Sequence, residues 1–266
     1  MRLHDYLRRI DAPAGLAADA EGLRRLHVAH REAILFENLS IQAGGSISVA
    51  LEDVERKFLD ERRGGYCFEH NTIFRAALLD CGFSAATCLG HVRRGPPERW
   101  CRTHMVVRVT ASDGSRWLAD VGFGAIGLIE PIPLADGVSS VQRGLAYMLR
   151  REGGSWVLSM RDEHGTQDLY DFSEEPQTLG DLVVANHYTS THPDSIFRRT
   201  LTIQGIRGNE RRTIRSWTLS RYVDGRYEEQ PLDRASLERT ARELFGVDLP
   251  AGPLLFESNA ESQEPA

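Results

Sequence analysis

The apolar period of this chain changes once, near Gly82, and few architectures accommodate such a change. Up to that point apolar residues recur at helical spacing. Leu3, Tyr6, Leu7 and Ile10 fall at i, i+3, i+4 and i+7, and EGLRRLHVAHREAI continues in kind with Leu23, Leu26 and Ala29. LEDVERKFLDERR sets Leu51, Val54, Phe58 and Leu59 on one stripe, with Gly64-Gly65 expected to end that helix as a C-cap. A helix from about Cys67 to Cys81 would bury Ile73, Ala77 and Leu78 and stop at Gly82. Beyond it come TCLGHVRR, HMVVRVTA, RWLADVGF, SWVLSMR and LYDFS, short β-rich runs separated by Gly, Pro and Asp-Gly, as in an antiparallel sheet or barrel.

The last third mixes the two textures. TLGDLVVANHYTST reads as a helix capped by Thr178 and closing at His192-Pro193. Residues 200–230 return to strands with Asp224-Gly225 as a hairpin turn, and Asp233 caps a last helix that ends at Phe245-Gly246. The order predicts an α+β chain: a helical bundle over 1–83, a central antiparallel β-barrel over 84–187, an α/β lid over 188–256 and a disordered polar tail over 257–266.

Composition narrows the function classes. With 266 residues, 41% of them hydrophobic, the chain can bury a sizeable core without staples. A net charge of −6 and a pI near 5.9 argue against nucleic acid or an anionic membrane as partner. The opening MRLHDYLRRIDAPAG has no apolar run and reads as neither a signal peptide nor a membrane span. Cys67, Cys81, Cys88 and Cys101 are therefore expected to remain thiols in a reducing cytoplasm. No CxxC pair joins Cys81, Cys88, Cys101 and His104, so no metal site is expected.

The stretch RRGGYCFEHN raises the question of chemistry. Cys67 falls in the first turn of its helix, where free backbone N–H groups and the helix dipole favour an anion. Two glycines before it leave the sulfur uncrowded. A small core hydrophobe is the competing reading of the same cysteine. A thiolate nucleophile also needs a base and a group to orient that base. His104 opens one strand and Asp120 ends the next, in one hairpin around Ser112-Asp113-Gly114. A two-residue Asp113-Gly114 loop would put them on opposite faces. A three-residue loop, with Gly114 left-handed in a bulge, pairs 106 with 120 and puts both on one face. His27, His30, His164 and His187 read as surface or helix-face residues.

ILFENLSI, RGGYCFEHN, THMVVRV, LADVGFG and the downstream HYTSTHPDSIF, in this order along nearly the whole chain, resemble the arylamine N-acetyltransferase family. The resemblance implies a bundle, barrel and lid around a cysteine-protease-like core, with Cys67, His104 and Asp120 as a catalytic triad. It implies ping-pong transfer from acetyl-CoA, through acetyl-cysteine, to an arylamine, arylhydrazine or related amine, by a monomer or homodimer. It places Phe36, Val92 and Phe123 around the acceptor, and Thr103, Phe123, Gly124, Gly127, Ser190 and His192 around coenzyme A. One departure is His70, where the family more often has Gln; it adds a second titratable group one turn from the thiol. Two alternatives share the Cys…His…Asp order: an amide synthase acting on another acyl thioester, and a transglutaminase-like or papain-like hydrolase. A binding module with a silent Cys67 is a third.

Overall fold

Helices take the N-terminal third because an apolar face recurs there every three to four residues and strands cannot use that period. In a computed structural model, which describes residues 1–163, 165–175, 177–223 and 226–261, they are α1 (Leu3–Arg9), α2 (Ala20–Ala33), α3 (Leu39–Gln42), α4 (Leu51–Glu55) and α5 (Cys67–Asp80). A π-helical turn, Arg56–Asp60, extends α4. Asp19 caps α2 by accepting from Gly22 N, and Gly82, at φ +90, follows the end of α5. Helices α1, α2, α4 with its π-helical turn, and α5 share one core of Tyr6, Leu23, Leu26, Val54, Phe58, Phe74 and Leu78.

From Ser84 the chain builds an eight-stranded antiparallel sheet that nearly closes into a barrel. Its strands are β2 (Ser84–Val92), β3 (Arg102–Thr110), β4 (Arg116–Ala119), β5 (Ile132–Pro133), β6 (Val138–Gln142), β7 (Leu145–Glu152), β8 (Ser155–Asp162) and β9 (Gly165–Phe172), in the order β5-β4-β3-β2-β9-β8-β7-β6. Alternation on β3 joins the two parts: Val107 and Val109 enter the helical core, while Val106 faces the barrel interior with Leu118, Leu158 and Tyr170.

A second sheet takes β1 (Phe36–Glu37), from inside the helical region, beside β10 (Thr202–Arg207), β11 (Glu210–Arg215), β12 (Thr218–Val223) and β13 (Arg226–Pro231). Helices α6 (Leu179–Thr191), α7 (Ile196–Arg199), α8 (Arg234–Phe245) and α9 (Leu255–Glu261) complete the chain. Thr178 and Asp233 cap α6 and α8 as their sequences indicate, and Gly246 ends α8 at φ +68.

Three expectations are corrected. The boundary expected between 187 and 188 falls inside α6. Residues 257–261, expected in the disordered tail, lie in α9, where Phe256 is buried and Glu257 accepts from Arg234 and from Leu254 N. Residues 262–266, and the Asp224-Gly225 turn, lie outside the described residues. Finally, Gly64 and Gly65 are not a left-handed cap; Arg62 has the positive φ, +53. The glycines allow close approach instead. A Cβ on Gly64 would stand 1.9 Å from Leu35 O, and one on Gly65 would stand 2.4 Å from the Glu69 carboxylate.

Candidate active site

The glycine pair runs beside the Leu35–Glu37 segment, with Glu37 N donating to Gly65 O at 2.7 Å and Gly65 N to Leu35 O at 3.3 Å. Arg63 pairs with Glu37 at 2.8 Å, and Glu69 accepts from Tyr66 N and from Lys57 Nζ. These contacts fix the entry to α5, so Cys67 is its first residue, 3% exposed, with the thiol donating to Thr103 O at 3.7 Å.

The hairpin carrying the other two groups takes the bulged turn. Thr110 pairs with Arg116, Ala111 N donates to Ser115 O at 2.9 Å, and Gly114 sits at φ +83 with its N–H on Ala111 O. The three-residue loop places Val106 opposite Asp120. His104 and Asp120 then follow Val106 and Leu118 on the barrel's interior face, and His104 Nε2 lies 2.7 Å from Asp120 Oδ2. Both are buried. Phe123 and Tyr170 enclose the imidazole, with ring centroids 4.9 and 4.7 Å away.

Burial alone would pull the His104 proton off, but the Asp120 charge and hydrogen bond outweigh it, with a smaller contribution from Cys67, and push His104 up to about 10. Burial disfavours the Asp120 carboxylate, yet His104, Gly122 N and Asn71 hold it well below the usual carboxylate range. The pair is therefore an imidazolium–carboxylate beside a thiol. The thiol donates to Thr103 O, and Cys67 also helps hold the proton on His104.

Residues passed over in the sequence hold the pair in place. Asn71, one turn beyond Cys67, donates to Asp120 Oδ1 at 3.1 Å and to Met105 O at 2.7 Å, and accepts from Val121 N. His27 is fully buried, not a surface residue: its Nε2 accepts from Asp120 N and its Nδ1 donates to Ile129 O. Burial, opposed by those bonds, lowers it to about 4, so it is neutral. His30 is likewise buried, while His187 is exposed and His164 lies outside the described residues. Arg31 reaches from α2 to the carbonyls of Val121 and Gly124. The available signal was that His27, His30 and Arg31 continue the helical stripe begun by Leu23 and Leu26.

A cleft of about 1070 Å³ opens on Cys67 and His104 and is lined also by Phe36, Val92, Thr103 and Phe123. The other residues placed around coenzyme A do not line it. Gly124, at φ +81, abuts Gln204, Gly127 N closes a turn on Gly124 O, Ser190 Oγ is spent on Asn186 O, and His192 stacks on Tyr188. Among the described residues no three His, Cys, Asp or Glu side chains are grouped to hold a metal ion. His70 points away from the thiol and into the core, hydrogen-bonded to Leu35 O; burial first, then Arg31, lowers it to about 3. It adds no charge beside Cys67.

Residues 19–253 match the family model described as N-acetyltransferase. The chain belongs to the arylamine N-acetyltransferase family. An arylamine N-acetyltransferase / N-hydroxyarylamine O-acetyltransferase of Salmonella typhimurium is 35% identical over 250 residues, 92% of this chain and 88% of that protein. The solved M. smegmatis arylamine N-acetyl transferase superposes with a TM-score of 0.90 at 34% identity, covering 98% of each chain. The Mycobacterium marinum arylamine N-acetyltransferase solved in complex with CoA gives 0.88 at 31% identity, covering 92% of each. Within the arylamine N-acetyltransferases, Gly122 of this chain has a legible purpose: a Cβ there would stand 2.7 Å from both Cys67 Cα and Asn71 Nδ2.

Proposed function

We propose that this protein transfers the acetyl group of acetyl-CoA to an arylamine, arylhydrazine or related amine through an acetyl-Cys67 intermediate. The observation that carries the reading is that Cys67 and His104 line one cleft with Phe36, Val92 and Phe123, with His104 bonded behind it to the buried Asp120. The His104 imidazolium favours Cys67 as thiolate. Thiolate attack on the thioester carbonyl expels the coenzyme A thiolate, which takes the proton of His104. The amine then attacks acetyl-Cys67, its proton passes to His104, and the Cys67 thiolate leaves. Thioester exchange is nearly isoenergetic, so the protein mainly supplies the thiolate and the geometry. The cleft's aromatic walls suit a neutral aromatic amine, with Thr103 and Phe123 flanking the thioester end of coenzyme A. No described helix is long and apolar enough to cross a membrane, and a cytoplasmic location is part of the proposal.

Incubation with acetyl-CoA followed by intact-mass measurement tests this reading. One acetyl adduct, absent in Cys67→Ser and discharged by added aniline, is the expected result. No adduct, with hydrolysis of a peptide or glutamine amide instead, would place the chain with the cysteine hydrolases.

A further inference from the structure

The acyl-transfer mechanism leaves a buried polar chain unused. Tyr6, His30 and His70 are each fully buried and lie on α1, α2 and α5. Tyr6 Oη is 2.7 Å from His30 Nδ1, His30 Nε2 is 2.8 Å from His70 Nδ1, and His70 Nε2 is 3.0 Å from Leu35 O. A carbonyl can only accept, so His70 carries its proton on Nε2 and accepts on Nδ1. His30 must then donate from Nε2 and accept from the Tyr6 hydroxyl on Nδ1. One arrangement of protons satisfies every group, with both imidazoles neutral and the chain running one way, from α1 to Leu35.

The chain ends at the cleft. Leu35 precedes Phe36, which lines the cavity beside Cys67. The His70 ring lies nearly parallel to the Phe36 ring, at 6.0 Å and 16°, while Phe197 flanks Phe36 at 6.0 Å. His70 itself is held at both nitrogens and backed by Phe58, edge-on at 5.1 Å. Phe36 therefore presents its ring against a support whose own orientation is set two residues further back, by Tyr6.

We infer that Tyr6, His30 and His70 form a positioning relay for the amine-binding wall of the cleft, with His70 the residue that sets how Phe36 meets the acceptor. This rests on the function proposed above, and it assigns the relay to the second half-reaction only. Acylation needs the Cys67–His104–Asp120 geometry, which Asn71 and His27 hold independently of Phe36. Loss of the relay should weaken use of the amine and leave capture of the acetyl group unchanged.

Three variants test it. His70→Leu removes both hydrogen bonds, Tyr6→Phe removes only the far donor, and His70→Gln keeps one donor and one acceptor. Acetylation of Cys67 by acetyl-CoA should proceed at the wild-type rate in all three. The KM for a para-substituted aniline should rise about tenfold in His70→Leu, less in Tyr6→Phe, and return toward wild type in His70→Gln. Should His70→Leu fail to fold, Tyr6→Phe against wild type gives the same comparison. Equal losses in both half-reactions, or an aniline KM in His70→Leu equal to that of a wild type that does acetylate, overturns the relay alone. A wild-type protein that takes no acetyl group overturns the proposed function first, and the relay's acceptor role with it.

Discussion

His104 Nε2 stands 2.7 Å from Asp120 Oδ2 because a three-residue loop joins the strands that carry them. Shifted by one residue, the same strands would send one of the two side chains to the helical core and leave a buried charge unpaired. The rest of the site depends on that register, because Asn71, Gly122 and His27 are all placed to meet Asp120 where it now lies.

Asn71→Ala should separate positioning from binding. The change leaves Met105 O and Val121 N without the Asn71 partner and removes one of the two hydrogen bonds to Asp120 Oδ1, the one from Gly122 N remaining. A stability loss of about 2 kcal/mol is expected, with kcat about tenfold lower and the KM for acetyl-CoA unchanged. Urea unfolding and steady-state kinetics measure both.

Gly122→Ala should be far more harmful than its size suggests. The added methyl would press on Cys67 Cα, which is backbone and cannot turn aside. Acetylation of Cys67 should slow by about a hundredfold in protein that still folds. The rate of acetyl adduct formation is the measurement.

Acid should destabilise the fold through its neutral histidines. Burial holds His27 and His70 at about 4 and about 3, against 6.5 in the unfolded chain. As pH falls below 6.5 the unfolded chain takes up these protons and the folded one does not, so stability drops until the folded values are reached. His70→Gln removes one such proton. Between pH 7 and pH 5 it should lose about 2 kcal/mol less stability than wild type. Urea midpoints at the two pH values decide this, and equal losses would mean that His70 is charged in the native state.

Much of this was legible in the chain. The change of period at Gly82 separated helices from strands, and Thr178, Asp233 and Gly246 marked helix ends through local hydrogen bonds and backbone conformation. The register of the hairpin was legible only as a choice, because Asp113-Gly114 suits either loop and a functional requirement favoured one. What stayed hidden depends on distant neighbours. β1 is two residues long and exists by pairing with β10 some 170 residues later, Phe36 opposite Gln204. Gly64 answers to Leu35 O, a contact no local pattern reveals. His27 and His30 read as surface or helix-face residues because burying a polar side chain is costly without partners, and the partners, Asp120 N and His70, lie far along the sequence.

The coupling of Asp120 to Cys67 through His104 is tested most directly by the pH dependence of Cys67 alkylation in wild type and Asp120→Asn. Asn keeps the size and removes the charge that outweighs burial at His104. The imidazole should then become neutral near pH 7, and the sulfur should lose its cationic neighbour. Near pH 7 alkylation of Cys67 should be markedly slower in Asp120→Asn than in wild type, and the two profiles should differ in shape because His104 no longer carries its charge there. Superimposable profiles would contradict the coupling, even if Cys67 proved essential.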